Sequence, residues 1–170
     1  MKYIEVRAMI RSGDLLAFTH RSWRTWNDWK IQLVRFFTQS EYSHVAVAWV
    51  VGGRVFVLEA VRPLVRIYPL SKSGDFYWLP TAEHWSPAAE EFALAHVGEP
   101  YSQLKAMAAF FGPVRHDGTW ECAQYVYEVL KLAGVDLGDK ATPTEIVRCA
   151  QLQGALCQLI SNQGDSDAEV

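Results

Sequence analysis

The chain has 170 residues, of which 50% are hydrophobic and 21% charged, and its formal net charge is -3. These values suit one soluble globular domain long enough to bury a core, and they give no global pull toward nucleic acid. Three cysteines, an odd number set far apart, form neither a disulfide framework nor a zinc spacing.

Charge interrupts the start of the chain at Lys2, Glu5 and Arg7, so no signal peptide is read there, and no stretch approaches transmembrane length. The expected compartment is therefore a reducing cytoplasm, which keeps a thiol usable. Gly13-Asp14 reads as a turn into a short strand at Leu15–Phe18. From Trp23 to Phe37 the pattern is helical, with tryptophans on one side and Arg21, Arg24, Lys30 and Arg35 between them. Such a segment suits either a nucleic-acid or membrane surface or an aromatic stripe packed on the core, and the modest total charge favours the core.

Two β-rich runs, Ser43–Val51 and Arg54–Val61, flank Gly52-Gly53 and form a strong hairpin signal. Further strands are expected near Val65–Tyr68 and Phe76–Leu79. Ser86-Pro87 opens a helix that Gly98 closes, and Thr142-Pro143 opens a last helix running to about Ile160. Cys149 and Cys157 lie in the apolar pattern of that last helix and are assigned to packing. Residues 1–161 read as a single domain and 162–170 as a frayed acidic tail. Strands followed by helices make the fold class α+β.

The chemistry centres on Thr119 to Gly134. Thr119 is the expected N-cap and Gly134 the left-handed stop, with apolar residues at Ala123, Val126, Tyr127, Leu130 and Ala133 burying one face. Cys122 then falls in the first turn, where free N–H groups and the helix dipole favour a thiolate. A nucleophile needs a base, and five histidines are available: His20, His44, His84, His96 and His116. His96, late in a helix, is explained by the dipole alone. His44 begins an otherwise apolar strand, which is a costly place for an imidazole without a partner.

The hairpin supplies one. With the turn at Gly52-Gly53, Val50 faces Val55, Ala48 faces Val57 and Ala46 faces Glu59. Glu59 is then the diagonal neighbour of His44 on one face, roughly 7–8 Å away at Cα. That face is otherwise small (Ala46, Ala48, Val55, Val57), which leaves room for a helix to dock. A buried His–Glu pair that only fixes the fold is the plain alternative to a catalytic pair.

With Gly13-Asp14-Leu15-Leu16, Tyr42-Ser43-His44, Val57–Val61, Gly98-Glu99-Pro100-Tyr101, Glu121-Cys122 and Thr142-Pro143 in this order, the chain resembles the papain-like cysteine hydrolases of the NlpC superfamily, in their circularly permuted YiiX-like branch. The resemblance implies a circularly permuted papain-like fold, with an antiparallel sheet or open barrel that carries histidine and glutamate packed against helices. It implies Cys122 as nucleophile, His44 as base, Glu59 as the residue orienting His44, and Tyr101 beside the cysteine in the oxyanion or substrate-binding position. Ala123 stands where the family often has serine. The implied activity is a cysteine amidase or peptidase, with cell-wall-type peptides as first substrate class. The alternatives are an acyltransferase or lipid and ester hydrolase like lecithin:retinol acyltransferase, or a non-catalytic binding module. No metal or organic cofactor is expected, and the expected partner is a small peptide or acyl substrate rather than nucleic acid. Nothing in the sequence speaks to oligomeric state.

Overall fold

A computed structural model describes residues 1–19, 41–81, 85–102, 118–138 and 142–162. The expected helix Trp23–Phe37, together with His20, His84, His116 and the tail beyond Asn162, lies outside the described residues. The elements run α1 (Tyr3–Val6), β1 (Leu15–Phe18), β2 (His44–Val51), β3 (Arg54–Val61), β4 (Leu64–Pro69), a 3-10 turn (Leu70–Lys72), β5 (Phe76–Leu79), α2 (Pro87–Ala95), α3 (Cys122–Leu132), α4 (Pro143–Leu152) and β6 (Gln158–Ile160). The strands form one six-stranded sheet in the order β4-β3-β2-β1-β5-β6, with every neighbour antiparallel.

The β2–β3 hairpin turns at Gly52 and Gly53, both at positive φ (58° and 73°), the conformation a two-residue turn of this hand requires. Its register is the expected one, with Val50 opposite Val55 and Ala48 opposite Val57. The turn before β1 is locked by Asp14, a buried carboxylate that accepts hydrogen bonds from Arg11 N, Thr81 N and Trp78 Nε1. Those donors meet its charge with three dipoles, which is what makes burial tolerable there.

Alternation divides the sheet into two apolar faces. One carries Leu15, Ala17, Val45, Val47, Leu58, Ala60 and Val65 and is covered by α2, α3 and α4 through Ala93, Val126, Val129, Leu130, Ile146 and Ala150. Each large side chain fully buried there stabilises the fold by roughly 1.5–3 kcal/mol. The helices are cross-tied to one another and to the sheet, Tyr125 donating to Ala93 O (2.7 Å) and Trp49 Nε1 to Glu90 Oε1 (2.7 Å). The other face carries Leu16, Ala46, Ala48, Val55 and Val57 and is covered by Tyr3 and Val6 of α1 with Ile10 just beyond it.

Two expectations are corrected at this level. The last helix ends at Leu152 rather than near Ile160, because Gly154 (φ 95°) breaks it and Gln158–Ile160 pairs with β5 as the edge strand. Cys157 therefore precedes a strand instead of lying in a helix, and it sits 3.5 Å from the Tyr42 hydroxyl. Asn162, placed in the frayed tail by composition, is buried, with Nδ2 donating to Leu70 O (2.8 Å) and Ser73 O (2.7 Å). The start of the chain meets this end: Tyr3 N donates to Ser161 O and Ser161 N to Met1 O.

Candidate active site

The cysteine helix begins one residue before its nucleophile candidate. Glu121 is the N-cap, extended at φ -119° and ψ 163°, and its carboxylate accepts from Ala123 N (3.0 Å) and Gln124 N. Thr119, the expected cap, stands two residues too early, and Glu121 does the capping instead. A carboxylate at this position satisfies two of the helix's orphan donors and meets the positive end of its dipole. Cys122 is then the first helical residue, 5% exposed, and Gly134 closes the helix at φ 82° as its sequence position suggests.

The helix does not dock on the His44 face of the hairpin, as the small residues there had suggested. Its apolar stripe covers the opposite face, and α1 fills the small-residue side. Cys122 and His44 meet nonetheless, because each is the first residue of its element and the two starts coincide, so that the charge of Cys122 acts on the imidazole. The ring Nε2 is 2.6 Å from Glu59 Oε2, which ties the imidazole to the carboxylate of β3. Phe18 packs on the ring at 5.6 Å between centroids.

Glu59 has a second partner that sequence inspection missed. Arg66, directly opposite on β4, donates from Nε (2.8 Å) and Nη2 (2.7 Å) to Oε1. The signal was present: a two-residue turn at Arg62-Pro63 puts Leu64 opposite Val61 and hence Arg66 opposite Glu59. Burial works to raise the Glu59 carboxyl, but His44 and Arg66 outweigh it and hold the group below the usual carboxylate range. Burial likewise works to lower His44, yet its hydrogen bonds and charge contacts with Cys122 and Glu59 push it up to about 10. The ring is therefore held toward imidazolium at neutral pH.

Glu121 is the second functional group whose setting the sequence did not disclose. Only 2% exposed, it has Oε2 3.8 Å from Cys122 Sγ. Burial dominates here: bonds from Ala123 N, Gln124 N and Cys122 and the charge of His44 pull downward, but the carboxyl still stands at about 7.

Tyr101 reaches this cluster through backbone pairing. Gly98 N donates to Val65 O and Val65 N to Glu99 O, which stitches Gly98–Tyr101 to β4; Tyr101 then bridges to Trp120, two residues before the cysteine. Trp120 is fixed in turn by its Nε1 bond to Glu99 and by the rings of His96, Phe92 and Tyr125. The Tyr101 phenol is raised by burial and then by the negative charge of Cys122 and Glu121, so it is a neutral hydroxyl. His96, by contrast, bonds Phe92 O through Nδ1 (2.8 Å) at the end of α2. The structure thus brings Cys122, His44, Glu59 and Tyr101 into one cluster.

The fold is α+β, with a six-stranded antiparallel sheet packed against helices. It is similar to the crystal structure of the metalloprotein YiiX from Escherichia coli O157:H7 (DUF1105), with TM-score 0.55, 19% identity and coverage of 89% of this chain and 88% of that one. No family model matches the chain, and no curated protein matches it. The word metalloprotein belongs to YiiX. Here the candidate donors are otherwise engaged, with Glu59 spanned by an imidazole and a guanidinium whose positive charge opposes a cation. Among the described residues no group of three or more His, Cys, Asp or Glu side chains is arranged so that it could hold a metal ion. Also among the described residues, no helix is long and apolar enough to cross a membrane.

Proposed function

We propose that the chain is a cysteine hydrolase of permuted papain-like, NlpC-type architecture, cleaving an amide through a thioester on Cys122. The observation that carries this reading is the His44 imidazole hydrogen-bonded to the Glu59 carboxylate and in electrostatic contact with Cys122, which stands at a helix N-terminus. In this scheme Cys122 reacts as the thiolate of a thiolate–imidazolium pair with His44. The thiolate attacks the substrate carbonyl, His44 protonates the departing amine, and the thioester forms. Water, deprotonated by His44, then attacks the thioester, releasing the acid and restoring the thiolate–imidazolium pair. Glu59 holds the ring orientation and stabilises the imidazolium, and Arg66 keeps Glu59 ionised.

The backbone supports a specific oxyanion donor. Glu121 occupies the Ala123 and Gln124 N–H groups, whereas the Cys122 N–H has no acceptor among the described residues. That N–H, with the Tyr101 hydroxyl as second donor, is the proposed oxyanion hole. Acyl transfer to or from a lipid is less well supported. Of the seven tryptophans, Trp49, Trp78, Trp85 and Trp120 are described, and all four pack into the two cores rather than line an acyl surface. Small peptide amides are accordingly the proposed substrates and the reducing cytoplasm the proposed compartment.

Intact-mass and peptide mapping after incubation with peptide thioesters or activated amides tests the proposal. An acyl adduct on Cys122, absent in His44→Ala, is the expected result, and its mass names the acyl group. Turnover that persists in Cys122→Ala removes the proposal.

A further inference from the structure

Five groups that can carry charge form one connected chain: Arg66 bonds Glu59, Glu59 bonds His44, His44 is in electrostatic contact with Cys122, and Cys122 lies against Glu121. Tyr101 stands near them as a neutral hydroxyl. Two of the five can be cations and three can be anions. Fully ionised, the cluster would carry one uncompensated negative charge among groups that are almost wholly buried (Glu59 6%, Cys122 5% and Glu121 2% exposed). One acid must therefore keep a proton. It is not Glu59, which accepts from the imidazole and from two guanidinium nitrogens. The retained proton belongs to Cys122 and Glu121.

We infer that Cys122 and Glu121 share a single proton, which makes Glu121 the positioning residue that sets the pH window of the Cys122 thiolate. Two arrangements hold the same number of protons. In one, the sulfur keeps its hydrogen and donates it to the Glu121 carboxylate, the geometry observed at 3.8 Å. In the other, the proton lies on the Glu121 carboxyl, which donates to a thiolate paired with the His44 imidazolium. Both are neutral overall, so they interconvert without exchange with solvent. Only the second is nucleophilic. The two groups also compete for one helix end, since the N–H groups that would solvate a thiolate already serve the carboxylate. Burial pushes the Glu121 carboxyl up to about 7, against its backbone bonds, which places the shared proton where it can be lost near neutrality. Such a pair titrates jointly, and its steps belong to neither residue alone.

The inference rests on Cys122 being the reactive thiol, and the test reads that separately. Full-length wild-type protein and Glu121→Gln are alkylated with limiting iodoacetamide across pH, and labelling at each cysteine is followed by peptide mapping. Glutamine keeps a capping oxygen but has no proton to share and no charge to oppose the thiolate. The midpoint of Cys122 labelling moves to lower pH in Glu121→Gln, with labelling roughly tenfold faster on the acid side of the wild-type midpoint. A pure helix cap would leave the midpoint where it is, and superimposable profiles overturn the shared proton while leaving the hydrolase reading intact. Labelling of Cys149 or Cys157 ahead of Cys122 overturns both. If Glu121→Gln does not fold, carboxyl-labelled glutamate is titrated by NMR in wild type and in Cys122→Ser. A hydroxyl donates but does not ionise in this range, so the Glu121 titration moves to lower pH in that variant; an unmoved titration overturns the inference.

Discussion

Glu59 and Glu121 are both buried, both interact with His44, and yet they stand in opposite charge regimes. Glu59, in a sheet wall, is held below the usual carboxylate range, whereas Glu121, at a helix tip, is pushed up to about 7. Depth does not separate them, since Glu121 is 2% exposed and Glu59 6%. Partners do. Glu59 touches two groups able to carry full positive charge, and Glu121 touches backbone dipoles and a thiol. The lesson is that burial sets the cost of ionisation, while a full opposite charge at hydrogen-bond distance decides whether it is met. The strand-borne acid is thereby suited to steady an imidazolium, and the helix-borne acid to exchange a proton with its neighbour.

Removing the cation that both acids share gives the largest effect. His44→Ala should lower turnover toward ~10,000-fold, the upper end of general-base catalysis, while the protein stays folded by circular dichroism. Activity within about tenfold of wild type would mean that another base serves Cys122.

Glu59→Gln comes next, because it keeps the shape of the sheet-wall acid and deletes the charge that distinguishes it from Glu121. A fall of about 100-fold in kcat with little change in KM is expected, read from steady-state kinetics on a peptide substrate. A raised KM with kcat preserved would assign Glu59 to substrate binding instead.

Arg66→Met should narrow the difference between the two acids. Without the guanidinium the Glu59 carboxyl moves upward, so the acid limb of the pH–rate profile shifts to higher pH. The Arg66 side chain is 41% exposed, so solvent screens the pair and the stability loss should be about 1 kcal/mol or less. A thermal melt and a pH–rate profile measure the two effects separately.

The smallest effects are in the pH dependence of stability, where the acids act with opposite sign. Glu59, lowered on folding from 4.5, contributes stability that is present above that pH and lost as pH falls. Glu121, raised from 4.5 to about 7, contributes stability present below 4.5 and lost as pH climbs to about 7. His44, raised from 6.5 to about 10, contributes below 6.5 and loses that contribution on approaching 10. Denaturant midpoints across pH should therefore show the decline between 4.5 and 7 flattened in Glu121→Gln, with the acid-side loss retained. An unchanged profile in that variant would place the cause of the decline elsewhere.

Local chemistry carried much of this fold into the sequence. Gly52-Gly53 set the hairpin turn and with it the register that turns Glu59 toward His44, because strand alternation leaves no freedom once the turn length is chosen. Ser86-Pro87 and Thr142-Pro143 marked two helix starts, and Gly134 a helix end, for equally local reasons of capping and φ. The tertiary structure decided what depends on elements distant in the chain. It chose which sheet face the cysteine helix covers, since both faces of the hairpin are apolar and pattern alone cannot rank them. It made Gln158–Ile160 a strand by offering the open edge of β5. It also decided the charge states of Glu59 and Glu121: a carboxylate's ionisation answers to the groups folded against it, and those groups come from β2, β4 and the start of α3.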